Sequence, residues 1–225
     1  MAKKKLRHFA ENATFPHLFQ QSYHELMAGF KLKGNWNNAY FHDPHPIILE
    51  LGCGKGEYTV ILASKHPEKN FIGIDIKGAR MWKGCKIVQE NELNNVAFIR
   101  TKIQLIQHFF APGEIDEIWI TFPDPQPKRR RASKRMTSPD FIELYRKILK
   151  PGGIIHVKTD NDGFFKYTKD IISKGGHNIL ECNEDIYNSG YIGEAAEIKT
   201  FYENMFLLEG IPIKYLKFML NESSR

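Results

Sequence analysis

The sequence predicts an α/β fold, a mostly parallel seven-stranded sheet with helices on both faces. Two observations carry that expectation. Short apolar runs alternate with helix-like segments along most of the chain, which implies strands joined by helical crossovers. The first apolar run, PHPIILELGCGKG, ends in closely spaced glycines, the pattern of a buried strand feeding a tight turn.

Residues 1–15 are polar and basic and read as a flexible arm, leaving 16–225 as a single domain. Residues 18–30 have helix-like content ahead of Gly34. After the glycine turn, 58–64 is the next helix, NFIGIDI the second strand and 79–91 a helix. VAFIR is the third strand, 105–109 a short helical stretch, and IDEIWITF the fourth strand. Residues 139–149 form a helix with Ser138 as its N-cap. KPGG turns the chain into the fifth strand, IIHVKTD; 164–173 is helical, HNILEC is a strand, and TFYENMFLLEG is the last one.

Composition narrows the function classes. The chain has 225 residues, 42% of them hydrophobic, enough for one substantial core. A net charge of +6 points to an anionic partner. Cys53, Cys85 and Cys182 are far apart and form no CxxC pair, which argues against a disulfide framework or zinc site and fits a reducing cytoplasm. His42 and His45 are separated by Asp-Pro, which breaks helical pairing, so no metal is expected. The N-terminal stretch lacks an apolar signal region and no run approaches a membrane span, so no membrane association is expected either. The sequence leaves monomer and homodimer both open.

In an open α/β sheet, ligands bind beyond the carboxyl ends of the strands. The first such end reads Glu50-Leu51-Gly52-Cys53-Gly54-Lys55-Gly56, spaced GxGxG rather than the dinucleotide GxGxxG, which counts against a nicotinamide enzyme. Glycines permit left-handed backbone and close approach to a ligand. An acid ahead of them would repel a pyrophosphate and suits a cationic amine or sulfonium. Asp75, about twenty residues on at the end of the second strand, is placed to accept hydrogen bonds from ribose hydroxyls. Together these features point to S-adenosyl-L-methionine. The plainer alternative makes Glu50 a loop cap and Asp75 an ordinary turn residue.

Beyond the fourth strand lies TFPDPQPKRRRASKR. Prolines fix the backbone around Asp124, and six basic residues follow: Lys128, Arg129, Arg130, Arg131, Lys134 and Arg135. An immobilised carboxylate before a dense positive run suits a nucleotide substrate, with the cations on phosphates; the alternative is a solvated turn. Asp160 ends the fifth strand and is expected to face the same crevice or to cap the next helix. Near the C-terminus, Thr200, Phe201, Tyr202 and Glu203 add a third acid and two aromatics able to stack on a base.

From Pro46 to Gly210 the chain resembles the bacterial tRNA (guanine-N7-)-methyltransferase family. The family pattern F-P-D-P-W-P-K is matched by Phe122-Pro123-Asp124-Pro125-Gln126-Pro127-Lys128, and its T-x-x-E by Thr200-Phe201-Tyr202-Glu203. The resemblance implies a Rossmann-like class I methyltransferase that modifies a guanine of tRNA, usually at position 46 in the variable loop. It implies that Glu50 and Asp75 bind cofactor, that Asp124 is the active-site acid close to it, and that Lys128, Asp160 and Thr200 to Glu203 meet the substrate. Gln126 departs from the family tryptophan. The family acid after the third strand is also missing, where Arg100-Thr101-Lys102-Ile103 stands, so that contact is either absent or supplied by backbone, at Lys102 or Ile103.

The chemistry is consistent with such a role. Guanine N7 carries a lone pair and no proton, so methyl transfer needs alignment rather than an obligatory base. Carboxylates near the purine stabilise the charge it gains and can accept from guanine N1–H and N2–H. The rival readings are a methyltransferase acting on another RNA, a protein or a small molecule, and a non-catalytic RNA-binding module on the same fold.

Overall fold

A computed structural model describes residues 2–221, with side chains over residues 5–221. The chain forms two compact units, Met1–Ile115 and Asp116–Arg225.

The first unit opens on helix α1 (Ala2–Asn12), where a flexible arm was expected. It packs on a later helix, α4 (Gly78–Glu90). The His8 ring stacks on Trp82 at 4.1 Å, the Trp82 indole N–H donates to Glu11, and buried Asn12 donates to the Gly78 carbonyl at 2.8 Å. The expected helix over 18–30 is shorter: strand β1 (Leu18–Phe19) comes first, then α2 (Tyr23–Ala28), opened by a Ser22/Glu25 capping box. β2 (Ile47–Leu51), α3 (Glu57–Lys65), β3 (Asn70–Asp75), α4 and β4 (Val96–Arg100) then follow. The strands lie in the order β1-β4-β3-β2, and β1 with β4, β4 with β3 and β3 with β2 all pair in parallel. All five residues of β2 are buried, as a central parallel strand requires.

Strand β5 (Ile115–Thr121) leads into the second unit, which continues through α5 (Pro139–Arg146), β6 (Leu149–Thr159), α6 (Asp162–Lys174) and β7 (Asn178–Asn183). The short α7 (Glu194–Glu197), α8 (Phe201–Leu208) and β8 (Lys214–Met219) complete it. Its strands run β5-β6-β8-β7, with β8 antiparallel to both neighbours. The described residues thus form eight strands, where seven were expected. The segment TFYENMFLLEG is helix rather than strand, and the C-terminal strand is formed instead by 214–219.

The helix wins because Thr200 and Glu203 build a capping box. The Thr200 hydroxyl accepts from the Glu203 N–H at 3.3 Å, and the Glu203 carboxylate accepts from the Thr200 N–H at 3.2 Å. Two other caps differ from expectation. Asn161, not Asp160, caps α6 by accepting from the Phe164 N–H at 2.9 Å. Ser138 occupies the N-cap position of α5, but its hydroxyl donates to the Ser133 carbonyl instead.

Candidate active site

In the first unit, β2 delivers the chain into the glycine turn. Gly52, Gly54 and Gly56 all have left-handed backbone, with φ of 77°, 56° and 71°. Gly56 is doubly constrained, since a Cβ there would lie 2.7 Å from the Phe98 ring. Gly73 on β3 and Gly84 on α4 face the same ring, and a Cβ on either would come within 2.8 Å of it. Three glycines therefore let one phenylalanine seat the turn against β3 and α4.

Asp75 ties this turn down. One carboxylate oxygen accepts from the Gly54 N–H at 2.9 Å, and the other accepts from the Lys77 N–H at 2.8 Å. The residue is half-buried at the carboxyl end of β3. A carboxylate oxygen has lone pairs beyond one hydrogen bond, so Asp75 can order the turn and still accept from a ligand hydroxyl. At Gly54 the nearest atom to an added Cβ is 3.9 Å away, so the peptide is bare on that side. A bare left-handed turn beside a hydroxyl acceptor fits an adenosyl-bearing ligand.

Glu50 is buried, and its carboxylate accepts from the Thr59 N–H at 2.8 Å and from the Thr59 hydroxyl. It caps the first turn of α3 from the neighbouring strand, the plainer of the two roles read from the sequence. Thr59 was not singled out, because nothing local pairs a helix threonine with an acid nine residues earlier. Lys102 is exposed, with extended backbone, at the start of a 3₁₀ turn over Ile103–His108. Burial pushes the Cys53 thiol well up and the Cys85 thiol up to about 12, so neither supplies a thiolate at neutral pH.

In the second unit, Asp124 is exposed in the loop after β5. Its carboxylate accepts from the Gln126 N–H at 3.1 Å. Phe122 and Gln126, two residues to either side, both adopt left-handed backbone, with φ of 49° and 44°. Non-glycine residues hold that conformation only where the surroundings enforce it. The enforcement here is partly visible. The Phe122 N–H donates to the Lys158 carbonyl at 2.8 Å, and the Arg135 guanidinium donates to the carbonyls of Pro125 and Gln126 at 3.2 to 3.3 Å.

Arg135 also lies 4.2 Å over the Tyr167 ring, so this cation holds the loop. Lys128, Arg129, Arg130, Arg131 and Lys134 are exposed on and beside a 3₁₀ turn over Arg129–Lys134. The Asp160 carboxylate engages no partner among the described residues, while its carbonyl accepts from Lys214 Nζ at 3.1 Å.

Glu203 sits differently from the other two acids. It is fully buried, and its Oε1 lies 2.6 Å from Lys158 Nζ and accepts from the Tyr187 hydroxyl at 2.7 Å. Lys158 is equally buried and donates to the Ile198 carbonyl at 2.8 Å. Burial, opposed by Glu203, brings the Lys158 ammonium down to about 8. Lys158 and Tyr187 were not read as site residues, since their partner lies far away in sequence. The pair fixes the start of α8, where Thr200 is half-exposed and Phe201 and Tyr202 are exposed. Among the described residues no group of His, Cys, Asp and Glu could hold a metal, and no helix is long and apolar enough to cross a membrane.

A family model described as "Putative methyltransferase" matches residues 44–216. The tRNA (guanine-N(7)-)-methyltransferase of Christiangramia forsetii is 52% identical over 221 residues, covering 97% of this chain and 99% of its own. The chain belongs to the tRNA (guanine-N(7)-)-methyltransferase family. The enzyme of that name from Bacteroides thetaiotaomicron is 49% identical, over 98% of this chain and 87% of its own. A variant of the 16S rRNA (adenine(1408)-N(1))-methyltransferase of Catenulisporales acidiphilia, solved with its cosubstrate SAM, aligns with a TM-score of 0.58. At 13% identity, over 87% of this chain and 95% of that one, this likeness shows a shared class I methyltransferase fold.

Proposed function

We propose that this chain transfers the methyl group of S-adenosyl-L-methionine to N7 of guanine 46 in the variable loop of tRNA. Family membership makes it a tRNA (guanine-N7)-methyltransferase that uses this cofactor. The position in tRNA and the roles below are our reading. When bound, the cofactor supplies an electrophilic methyl on a sulfonium.

Gly52, Gly54 and Gly56 provide bare backbone for the cofactor, Asp75 accepts from its ribose, and Glu50 keeps the turn and α3 in register. Lys102 offers backbone for the adenine. Asp124 is the active-site acid. Its exposed carboxylate, fixed by Gln126 N–H and by strained neighbours, stabilises the positive charge that the purine acquires. Asp160 accepts from guanine N1–H and N2–H. Lys128, Arg129, Arg130, Arg131 and Lys134 hold phosphates. Thr200, Phe201 and Tyr202 meet the base or its neighbours, and Glu203 acts by positioning them. Arg135 acts on the loop, leaving phosphate contact to the five exposed cations.

The observation that carries the reading is the Asp124 loop, an exposed acid immobilised directly ahead of five exposed cations in a chain 52% identical to a named family member. Incubation with total tRNA and labelled cofactor, followed by nucleoside mapping, is expected to yield N7-methylguanosine. A tRNA carrying adenine at position 46 is expected to accept no methyl. Methylation elsewhere would refute the position while leaving the enzyme class standing.

A further inference from the structure

The first unit carries a second concentration of positive charge that the chemistry above does not use. Lys5, Lys77, Arg80 and Arg100 are all exposed, and none has an acidic partner among the described residues. The nearby basic residues are already matched: Arg7 pairs with Glu11 at 2.7 Å, Lys83 with Glu57 at 2.7 Å and Lys86 with Glu90 at 3.9 Å. Unpaired cations thus remain together where paired ones surround them.

Two of the four meet around one ring. Arg100 lies 4.9 Å over Phe9, and Lys5 lies 5.9 Å from the same ring. An added Cβ on Gly78, next to Lys77, would come within 3.2 Å of Phe9 and 2.7 Å of Arg100. Arg80 follows in the first turn of α4. The helix that brings Lys5 here is fixed by the His8–Trp82 stack and by Asn12, which donates to the Gly78 carbonyl. The charges of Lys5 and Arg100 are therefore held in place over Phe9, which lowers the entropic cost of contacting a polyanion.

We propose that Lys5, Lys77, Arg80 and Arg100 form a second phosphate-contacting surface for tRNA, separate in sequence from the run at 128–134. The inference rests on the reading that tRNA is the substrate. Guanidinium and ammonium groups without acid partners release counterions from a phosphate backbone, so each contact adds to the salt dependence of binding. A docked helix carrying such groups fits the ribose-phosphate backbone of a folded RNA. It does not fit an apolar partner, because the cluster's centre is a single ring flanked by charge.

The test compares wild type with Lys5→Gln/Arg80→Gln and with Lys5→Glu/Arg80→Glu. Lys77 is left intact because it lies two residues from Asp75, in the segment proposed to hold the cofactor. Neutralisation is expected to weaken tRNA binding ~10-fold at low salt and to make the slope of log affinity against log salt shallower by about 2. Charge reversal is expected to weaken it further. KM for tRNA should rise in parallel, while kcat at saturating tRNA and cofactor affinity stay at wild-type values. If the wild type methylates tRNA and both variants match its KM and salt slope, the surface is refuted and the function stands. If the wild type methylates no tRNA, the substrate reading itself fails.

Discussion

Lys158→Met probes the least visible part of the site. The ammonium lies 2.6 Å from Glu203 Oε1 and 2.8 Å from the Ile198 carbonyl, with both side chains of the ion pair fully buried. Methionine keeps the volume but leaves the Glu203 carboxylate, among the described residues, only the neutral Tyr187 hydroxyl and Thr200 N–H as donors. Stranding one buried charge costs about 3–5 kcal/mol, a large share of the roughly 5–15 kcal/mol that keeps a domain folded.

Adding Glu203→Gln removes the stranded charge while keeping an acceptor for Tyr187. The double variant is therefore expected to recover most of the loss, with a coupling energy above about 2 kcal/mol. Urea denaturation of the four proteins in this cycle measures it. A single-variant cost below about 1 kcal/mol, or strict additivity, would refute the claim that the pair is energetically linked.

The same group predicts a pH dependence. Burial lowers the Lys158 pKa to about 8 from an ordinary 10.5. Between those values the unfolded chain binds more protons than the folded one, so stability from this group rises with pH. This gain is lost as pH falls through 8 and is absent in Lys158→Met.

Asp124→Asn keeps an acceptor for the Gln126 N–H, so the loop should stay folded while methyl transfer in single turnover falls roughly 100-fold; near-wild-type transfer would remove Asp124 from the reaction. Gly56→Ala puts a Cβ 2.7 Å from the Phe98 ring at a φ of 71°, and is expected to cost about 2 kcal/mol or more. It should also abolish the rise in melting temperature that S-adenosyl-L-methionine gives the wild type. Gln126→Gly relieves a left-handed backbone at φ of 44° and should raise the urea midpoint by the equivalent of up to about 1 kcal/mol.

The sequence was most legible where local pattern and burial agree. β2, β3 and β4 are mostly apolar runs bounded by turn residues, and each forms close to where the pattern places it. Legibility failed where apolar content hid the period. FYENMFLL is rich in aromatic and aliphatic residues and reads as a strand, yet Thr200 and Glu203 three residues apart are the signature of a helix start. The same signature at Ser22 and Glu25 marks where α2 begins inside a segment read as one longer helix. Basic residues 1–15 read as an arm because the partners that dock α1, Trp82 and the Gly78 carbonyl, lie some seventy positions away. Lys158 in HVKTD gives no local sign that it is buried, since Glu203 meets it only in the folded chain.

The sequence offers Asp124, Asp160 and Glu203 as base readers and charge stabilisers, and their surroundings separate them. A base reader needs lone pairs that a substrate can reach, and Glu203 spends its oxygens on Lys158, Tyr187 and Thr200 while fully buried. Asp160 is half-buried with a carboxylate that engages nothing among the described residues, so it alone of the three has both oxygens open to an incoming donor. Asp124 is exposed but commits one oxygen to Gln126, which suits a group held in place beside developing charge. Removing each carboxylate should then fail differently. Loss at Asp160 raises KM for tRNA, loss at Asp124 lowers kcat, and loss at Glu203 lowers stability along with both.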